Sequence, residues 1–416
     1  MDKVAVESNS QNPWASREKL PRVSPAHLFL AIAICFLCAV SIPLCTNHAV
    51  ALVMLAILFA YVAIVGRHPL TVALVLVTTF FVTVLGSVAG IGLAVGVVLL
   101  ATVVGCATAT LLMTVLDRAY LVALIPVAAF GVAFAVTGRL ATSLAAFCFL
   151  PMAVLLALAT LRDKGRTAAI CAAQIGLLLS VAGALAVLVW QIYGSVGPNA
   201  VRAAIDAVRE GVVRAFEAIR DYNLASFEEL QMSGSAQEWI ERVNLLYSRD
   251  MALTIFSIFP AAIAVICGVI AYEAQAFLNA SYKTVGLGAV LTANARFFSM
   301  SLTSAILFVV SFVLTMLVSS GATLGAMMQN LSLMLMPGLC VIGIQSIVAT
   351  LRRARGASRI IWLLLLAFLF CTGGALYMLA FWGAYVIVML AMQKKMVEKI
   401  IQSGRGGDSS DDSDKD

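Results

Sequence analysis

The sequence predicts an all-α, polytopic transmembrane helical bundle of about 12 spans (10–12), with one long external loop of amphipathic helices. Three observations carry this. Hydrophobic residues make up 62% of the chain and charged residues 12%, against about 25% charged in an average soluble domain. Apolar runs of about 20 residues recur, each long enough to cross a roughly 30 Å hydrocarbon core as a helix. Arg and Lys gather in every second connection, as the positive-inside rule requires. Runs such as Val88–Leu116 and Met251–Phe277 are apolar on all sides. They do not alternate with period 2, which excludes a β-barrel.

In chain order, spans are expected near His27–Cys45, Ala49–Val65, Leu70–Leu85, Val88–Leu116, Tyr120–Thr137, Leu140–Leu161 and Ala168–Ile192. After a polar stretch come Met251–Leu278, Phe297–Ser319, Leu324–Ala349, Ile360–Thr372 and Ala375–Met392. The last two divide one run: at about 1.5 Å per residue, Ile360–Met392 would be roughly 50 Å long. A break at Thr372-Gly373-Gly374 turns it into a hairpin and returns Lys394 and Lys395 to the cytoplasmic side. Positive residues precede the first span (Arg17, Lys19, Arg22) and follow the second (Arg67), fourth (Arg118), sixth (Arg162, Lys164, Arg166) and tenth (Arg352, Arg353, Arg355, Arg359). Both termini are therefore expected in the cytoplasm. The domain division that follows is residues 1–26, a cytoplasmic N-terminal segment; 27–192, a first bundle of about seven spans; 193–250, the external loop; 251–392, a second bundle of about five spans; and 393–416, a cytoplasmic, disordered acidic tail.

In the external loop, Val201, Ile205, Val208, Val212, Phe216 and Ile219 recur at helical spacing. Glu210 and Arg214 sit where an i,i+4 pair would form. Ser235 and Glu238 have capping-box spacing ahead of a second helix. The pair reads either as a lid or as helices lying on the bilayer surface. The Gly, Ser and Asp-rich tail from Ser403 cannot build a core.

Groups for catalysis are scarce. No Asp falls inside an expected span, and His27, His48 and His68 all sit at span ends without metal-ligand spacing. The nine cysteines lie in or at the edges of spans, and Cys35 and Cys38 share one apolar helix, so neither a disulfide framework nor a metal site is expected. No enzyme activity, metal or cofactor is therefore expected, and the Arg352–Arg359 cluster lacks the context for nucleic acid. Glu273 lies roughly 33 Å along the axis from Met251, which would bring it to the inner headgroup region. Gln174, Asn330 and Gln345 are neutral polar residues in or beside spans, suited to interhelical hydrogen bonds or to contact with a ligand. Gly86-Ser-Val-Ala-Gly90-Ile-Gly92-Leu-Ala-Val-Gly96 carries glycines four apart, and Ala31, Cys35 and Ala39 form a small-residue stripe. Both patterns permit close helix packing, within this chain or against a partner membrane protein.

Over roughly residues 20–392 the chain resembles the YybS-like family of bacterial predicted multi-pass membrane proteins, a domain of unknown function. The resemblance rests on the Gly66-Arg67-His68 turn, the glycine-rich start of the fourth span, and the Ile255-Phe-Ser-Ile-Phe-Pro260 lead-in to the eighth. It also rests on Asn330-Leu-Ser-Leu333 continuing through Gly338 and Gly343 to Gln345. It departs at Phe297-Phe-Ser-Met-Ser301, where the family tends to an aromatic-x-Leu-Pro element, and at Gly383-Ala384, where an Asp tends to follow the glycine. The resemblance implies a bacterial cell membrane protein whose front part is similar in layout to the substrate-capturing subunits of energy-coupling-factor transporters. Small-molecule binding or transport is the expected function, with a non-transporting scaffold or regulator acting through helix contacts as the alternative. The expected partners are the lipid bilayer and a membrane protein.

Overall fold

The computed structural model describes residues 23–65, 69–88, 91–116, 118–162, 165–229, 236–287, 298–318, 323–353 and 375–405. These are helical throughout, with no strand among the described residues. The helices are α1 (Pro25–Leu44), α2 (His48–Val65), α3 (Pro69–Val88), α4 (Gly92–Val115), α5 (Leu124–Thr137), α6 (Leu140–Leu144), α7 (Leu150–Leu161) and α8 (Arg166–Tyr193). They continue as α9 (Pro198–Glu229), α10 (Ala236–Leu246), α11 (Arg249–Ser257), α12 (Phe259–Thr284), α13 (Leu302–Leu317), α14 (Thr323–Arg353) and α15 (Ala375–Arg405). Among the described residues, nine helical stretches are long and apolar enough to cross a membrane, and two shorter apolar helices accompany them. Their outer faces carry large apolar side chains such as Phe29, Ile64, Phe80 and Leu317, all more than half exposed. A surface of this kind is stable against lipid and not against water. The protein is an all-α membrane protein.

Proline decides where two of the expected runs break. Leu140–Leu161 is not one helix: α6 passes through a 3-10 turn at Ala145–Phe147 before α7 begins with Pro151 in its first turn. The proline ring has no N–H and would collide with the carbonyl four residues back, so a new helix must start there. The run expected to begin at Met251 likewise divides at Ile258 into α11 and α12, with Pro260 at the start of the second. The run Val88–Leu116 also divides, since Val88 ends α3 and α4 begins only at Gly92. At the other end, α15 runs on to Arg405. Residues 393–405 are therefore helical where a disordered tail is expected from composition, because the Lys, Met, Glu and Gln they contain are good helix formers. Gly90, Ser235, residues 360–374 of the expected hairpin and residues 406–416 lie outside the described residues.

The chain packs as two units: Met1–Val208 with Ile266–Phe297, and Arg209–Val265 with Phe298–Asp416. The expected divisions at 192 and 251 follow polarity; packing instead changes unit within α9 and within α12.

In the first unit, α4 is buried along nearly its whole length and is the axis about which α1, α2, α3 and α7 pack. The stripe Ala31, Cys35 and Ala39 is buried, so this small-residue face is used within the chain. Gly105 on α4 completes the contact from the other side: a Cβ there would stand 3.0 Å from Cys38 Cβ and 3.1 Å from the Phe149 ring. Gly92 and Gly96 do the same for the α3–α4 hairpin, where an added Cβ would run into Thr83 and, at Gly92, also Ser87. Gly86 faces the same turn, where an added Cβ would stand 2.9 Å from the Gly92 Cα. Gly176 lets α8 reach the backbone of Met152 on α7.

In the second unit, α13, α14 and α15 enclose a core of Phe308, Leu339, Ile342, Ile347, Leu379 and Ala380. Phe308, Phe312 and Phe381 stack edge-on within it, with ring centroids 5.2 Å and 5.0 Å apart across the two interhelical pairs. On α9, the pairing expected between Glu210 and Arg214 is replaced by one between Glu210 and Arg249, at 3.8 Å. Phe216 rests against the Tyr247 ring at 6.0 Å, which draws α9 to the start of α11. Both charges are half exposed, so the packing of apolar groups matters more here than the ion pair.

Candidate functional site

Helix α12 carries a fully buried carboxyl, that of Glu273. From Ala271 to Tyr282 it is enclosed on nearly every side, in contrast to its first half, where Ile263, Ile266 and Val269 are exposed. Phe277 meets the Tyr61 ring of α2 at 6.1 Å. The Tyr282 hydroxyl and the Thr114 hydroxyl of α4 are 3.0 Å apart. Thr284 donates to the Val65 carbonyl at 3.2 Å. Into this enclosed segment the sequence places Glu273, Gln275, Ser281 and Tyr282, all buried.

Ser281 and Tyr282 are satisfied, but both carboxyl oxygens of Glu273 and the Oε1 of Gln275 have no hydrogen-bond partner. The neighbouring side chain that acts on Glu273 is the Thr78 hydroxyl of α3, which falls short of hydrogen-bond geometry. The guanidinium of Arg166 of α8 lies over the neighbouring Tyr272 ring, 5.0 Å from the centroid, and forms no ion pair with Glu273 among the described residues.

This corrects the sequence expectation for Glu273. Measured from Met251 it would reach the headgroup region, but α12 starts at Phe259. Glu273 then lies roughly 21 Å from that end and 16 Å from Thr284, at about 1.5 Å per residue. It stands near mid-helix and is fully buried. A snorkelling carboxylate would be exposed.

The three neutral polar candidates do not form one site. Asn330 is engaged at the α11–α12 break. Its Nδ2 donates to the Ser257 carbonyl and to the Ala326 carbonyl, both at 2.8 Å, and its Oδ1 accepts from the Ala261 N–H at 3.0 Å. Ser257 and Ala261 are four apart, so in an unbroken helix they would bond to each other. The amide is inserted into that missing rung, a recognised way of holding a kink. The Ile255–Pro260 lead-in and Asn330–Leu333, far apart in the sequence, are thus joined by one side chain. Gln345 is half-buried on the same helix, roughly 22 Å further along. Gln174 on α8 lies over Gly268 of α12, its Nε2 3.2 Å from where a Cβ would be. Proximity to Gly268 is not visible in the local sequence of Gln174, and the break at Pro260 is the signal that could have placed Glu273.

The second unit also holds a groove of about 400 Å³ between α13 and α15, lined by Ala305, Ile306, Val309, Phe381, Ala384 and Tyr385. Asn330 and Gln345 are not among the residues that line it. Among the described residues no cluster of three or more His, Cys, Asp or Glu could hold a metal ion. No family, no curated protein and no solved structure matches this chain.

Proposed function

We propose that the protein binds and passes a small solute within the membrane. The observation that supports this is Glu273, an ionisable side chain enclosed near the middle of a membrane-length helix. Such groups are costly at that depth and mark solute or ion pathways. The alternative, a scaffold or regulator working through helix contacts, draws on Asn330, whose amide is fully committed to the α11–α12 joint. Twelve crossings, cytoplasmic termini, a bacterial cell membrane location and kinship with the YybS-like family belong to the same proposal.

Purification of the full chain followed by mass spectrometry of what co-elutes separates the two readings. A reproducible small molecule is the expected result. Stable protein partners with no small molecule would favour the scaffold. Topology is checked independently by single cysteines placed near Glu229 and near Arg355. The former is expected to react with an impermeant thiol reagent added outside intact cells, and the latter only after permeabilisation. The reverse pattern would overturn the orientation.

A further inference from the structure

We propose that Glu273 is a reversible proton-binding site inside the helical bundle, the place where this chain takes up and gives back a proton from within the membrane. The inference rests on the solute-handling reading and deepens it by naming an ion.

Structural carboxylates in proteins usually accept N–H bonds at a helix N-terminus or pair with a cation. Glu273 is near mid-helix, where the backbone N–H groups bond within the helix. It pairs with no Lys, Arg or His among the described residues. A metal cation would need several oxygen ligands, whereas the surroundings offer the Thr78 hydroxyl. A proton needs no such shell. It neutralises the carboxyl in place and turns an acceptor-only group into one that can donate.

The elements packed around this part of α12 add few competing charges. α3 contributes Thr78, α2 contributes Tyr61, and α4 contributes Thr114 against Tyr282. α8 contributes Gln174 and Arg166, the latter held over the Tyr272 ring. Arg166 is the one permanent charge in that set. Its Nε is itself buried without a hydrogen-bond partner, and it forms no ion pair with Glu273 among the described residues. Gln275, two residues on and so on a different face of α12, has a buried oxygen that is likewise without a partner. A segment with two unmatched polar side chains is a poor structural core. It fits a place where a proton comes and goes.

An apolar carbodiimide tests this on the full-length protein in membranes. The reagent takes the carboxyl proton on one nitrogen while a carboxyl oxygen bonds its central carbon. Rearrangement then leaves a stable N-acylurea, with the whole reagent added and no leaving group. Peptide mass spectrometry is expected to find the adduct at Glu273, and to find it lost in Glu273→Gln and retained in Glu273→Asp. Yield is expected to fall by roughly tenfold per pH unit above the titration midpoint, following the protonated fraction. The exposed carboxyls of Glu238 and Asp250 serve as the comparison in the same digest. An unmodified Glu273 in protein that remains monodisperse overturns the proposal, as does labelling indifferent to pH or labelling blocked by sodium ions. A co-purifying solute with no adduct sinks the proton site alone. An adduct with no solute sinks the solute reading alone.

Discussion

Replacing Asn330 with Leu is expected to destabilise the protein by about 2 kcal/mol, above the roughly 0.6 kcal/mol average for side-chain hydrogen bonds between membrane helices. The difference arises because the substitution orphans backbone groups. Leu keeps the branched shape of Asn with somewhat bulkier ends, but the Ala261 N–H and the Ser257 carbonyl lose their partner together. Each unsatisfied group in an apolar setting costs about 1–3 kcal/mol, reduced by whatever straightening the chain can manage. Pro260 limits that straightening, since its ring prevents regular helix through the joint. The two residues should therefore couple. In a double-mutant cycle read by denaturant unfolding in detergent, Asn330→Leu is expected to cost less on a Pro260→Ala background, where the helix can re-form its own bond. Equal costs on both backgrounds would show that the amide does not stand in for the missing rung.

The larger effect is expected at Gly383. A Cβ at that position would meet the Leu339 carbonyl of α14, with the Leu339 carbonyl carbon at 2.9 Å and the Gly343 nitrogen at 3.1 Å. Gly343 is the reciprocal case, directed at the Leu379 carbonyl of α15. These obstacles are backbone atoms, so no side chain can swing aside and the two helices must separate. That separation would also break the Cys340 thiol contact to the Leu376 carbonyl, which spans 3.1 Å. Overpacking a well-filled core typically costs about 1–3 kcal/mol, and Gly383→Leu is expected at or beyond the top of that range. The measurement is the unfolding midpoint of the purified protein. Gly183→Ala in α8 is the control: nothing lies within 4 Å of its added Cβ. Removing a helix-interior glycine there should be neutral or stabilising by up to about 1 kcal/mol. If Gly383→Leu behaves like Gly183→Ala, the close crossing of α14 and α15 is not what holds this unit together.

Much of this architecture is legible in the sequence alone. Apolar runs of membrane length are a one-dimensional signal, because lipid demands that each crossing satisfy its own backbone hydrogen bonds. The positions of α1, α2, α8 and α14 follow directly from those runs. The small-residue stripe on α1 and the glycines of the α3–α4 turn were also readable, since spacing four apart places residues on one helix face. Spacing could not name the neighbour. That Cys38 of α1 meets Gly105 of α4, and that Gly343 meets Gly383, depend on residues far apart in the chain.

The site was less legible, for a physical reason. Whether a polar residue in an apolar run is spent on structure or left over depends on its partners in three dimensions. From sequence, Asn330 and Glu273 are both lone polar residues in apolar surroundings. Tertiary structure separates them: Asn330 is consumed by a helix break and Glu273 is left without a hydrogen-bond partner. The sequence by itself determined that this is an all-α membrane protein, because composition and run length decide which solvent the helices require. Only the tertiary structure decided where those helices break, which faces close on one another, and which buried polar group remains unmatched.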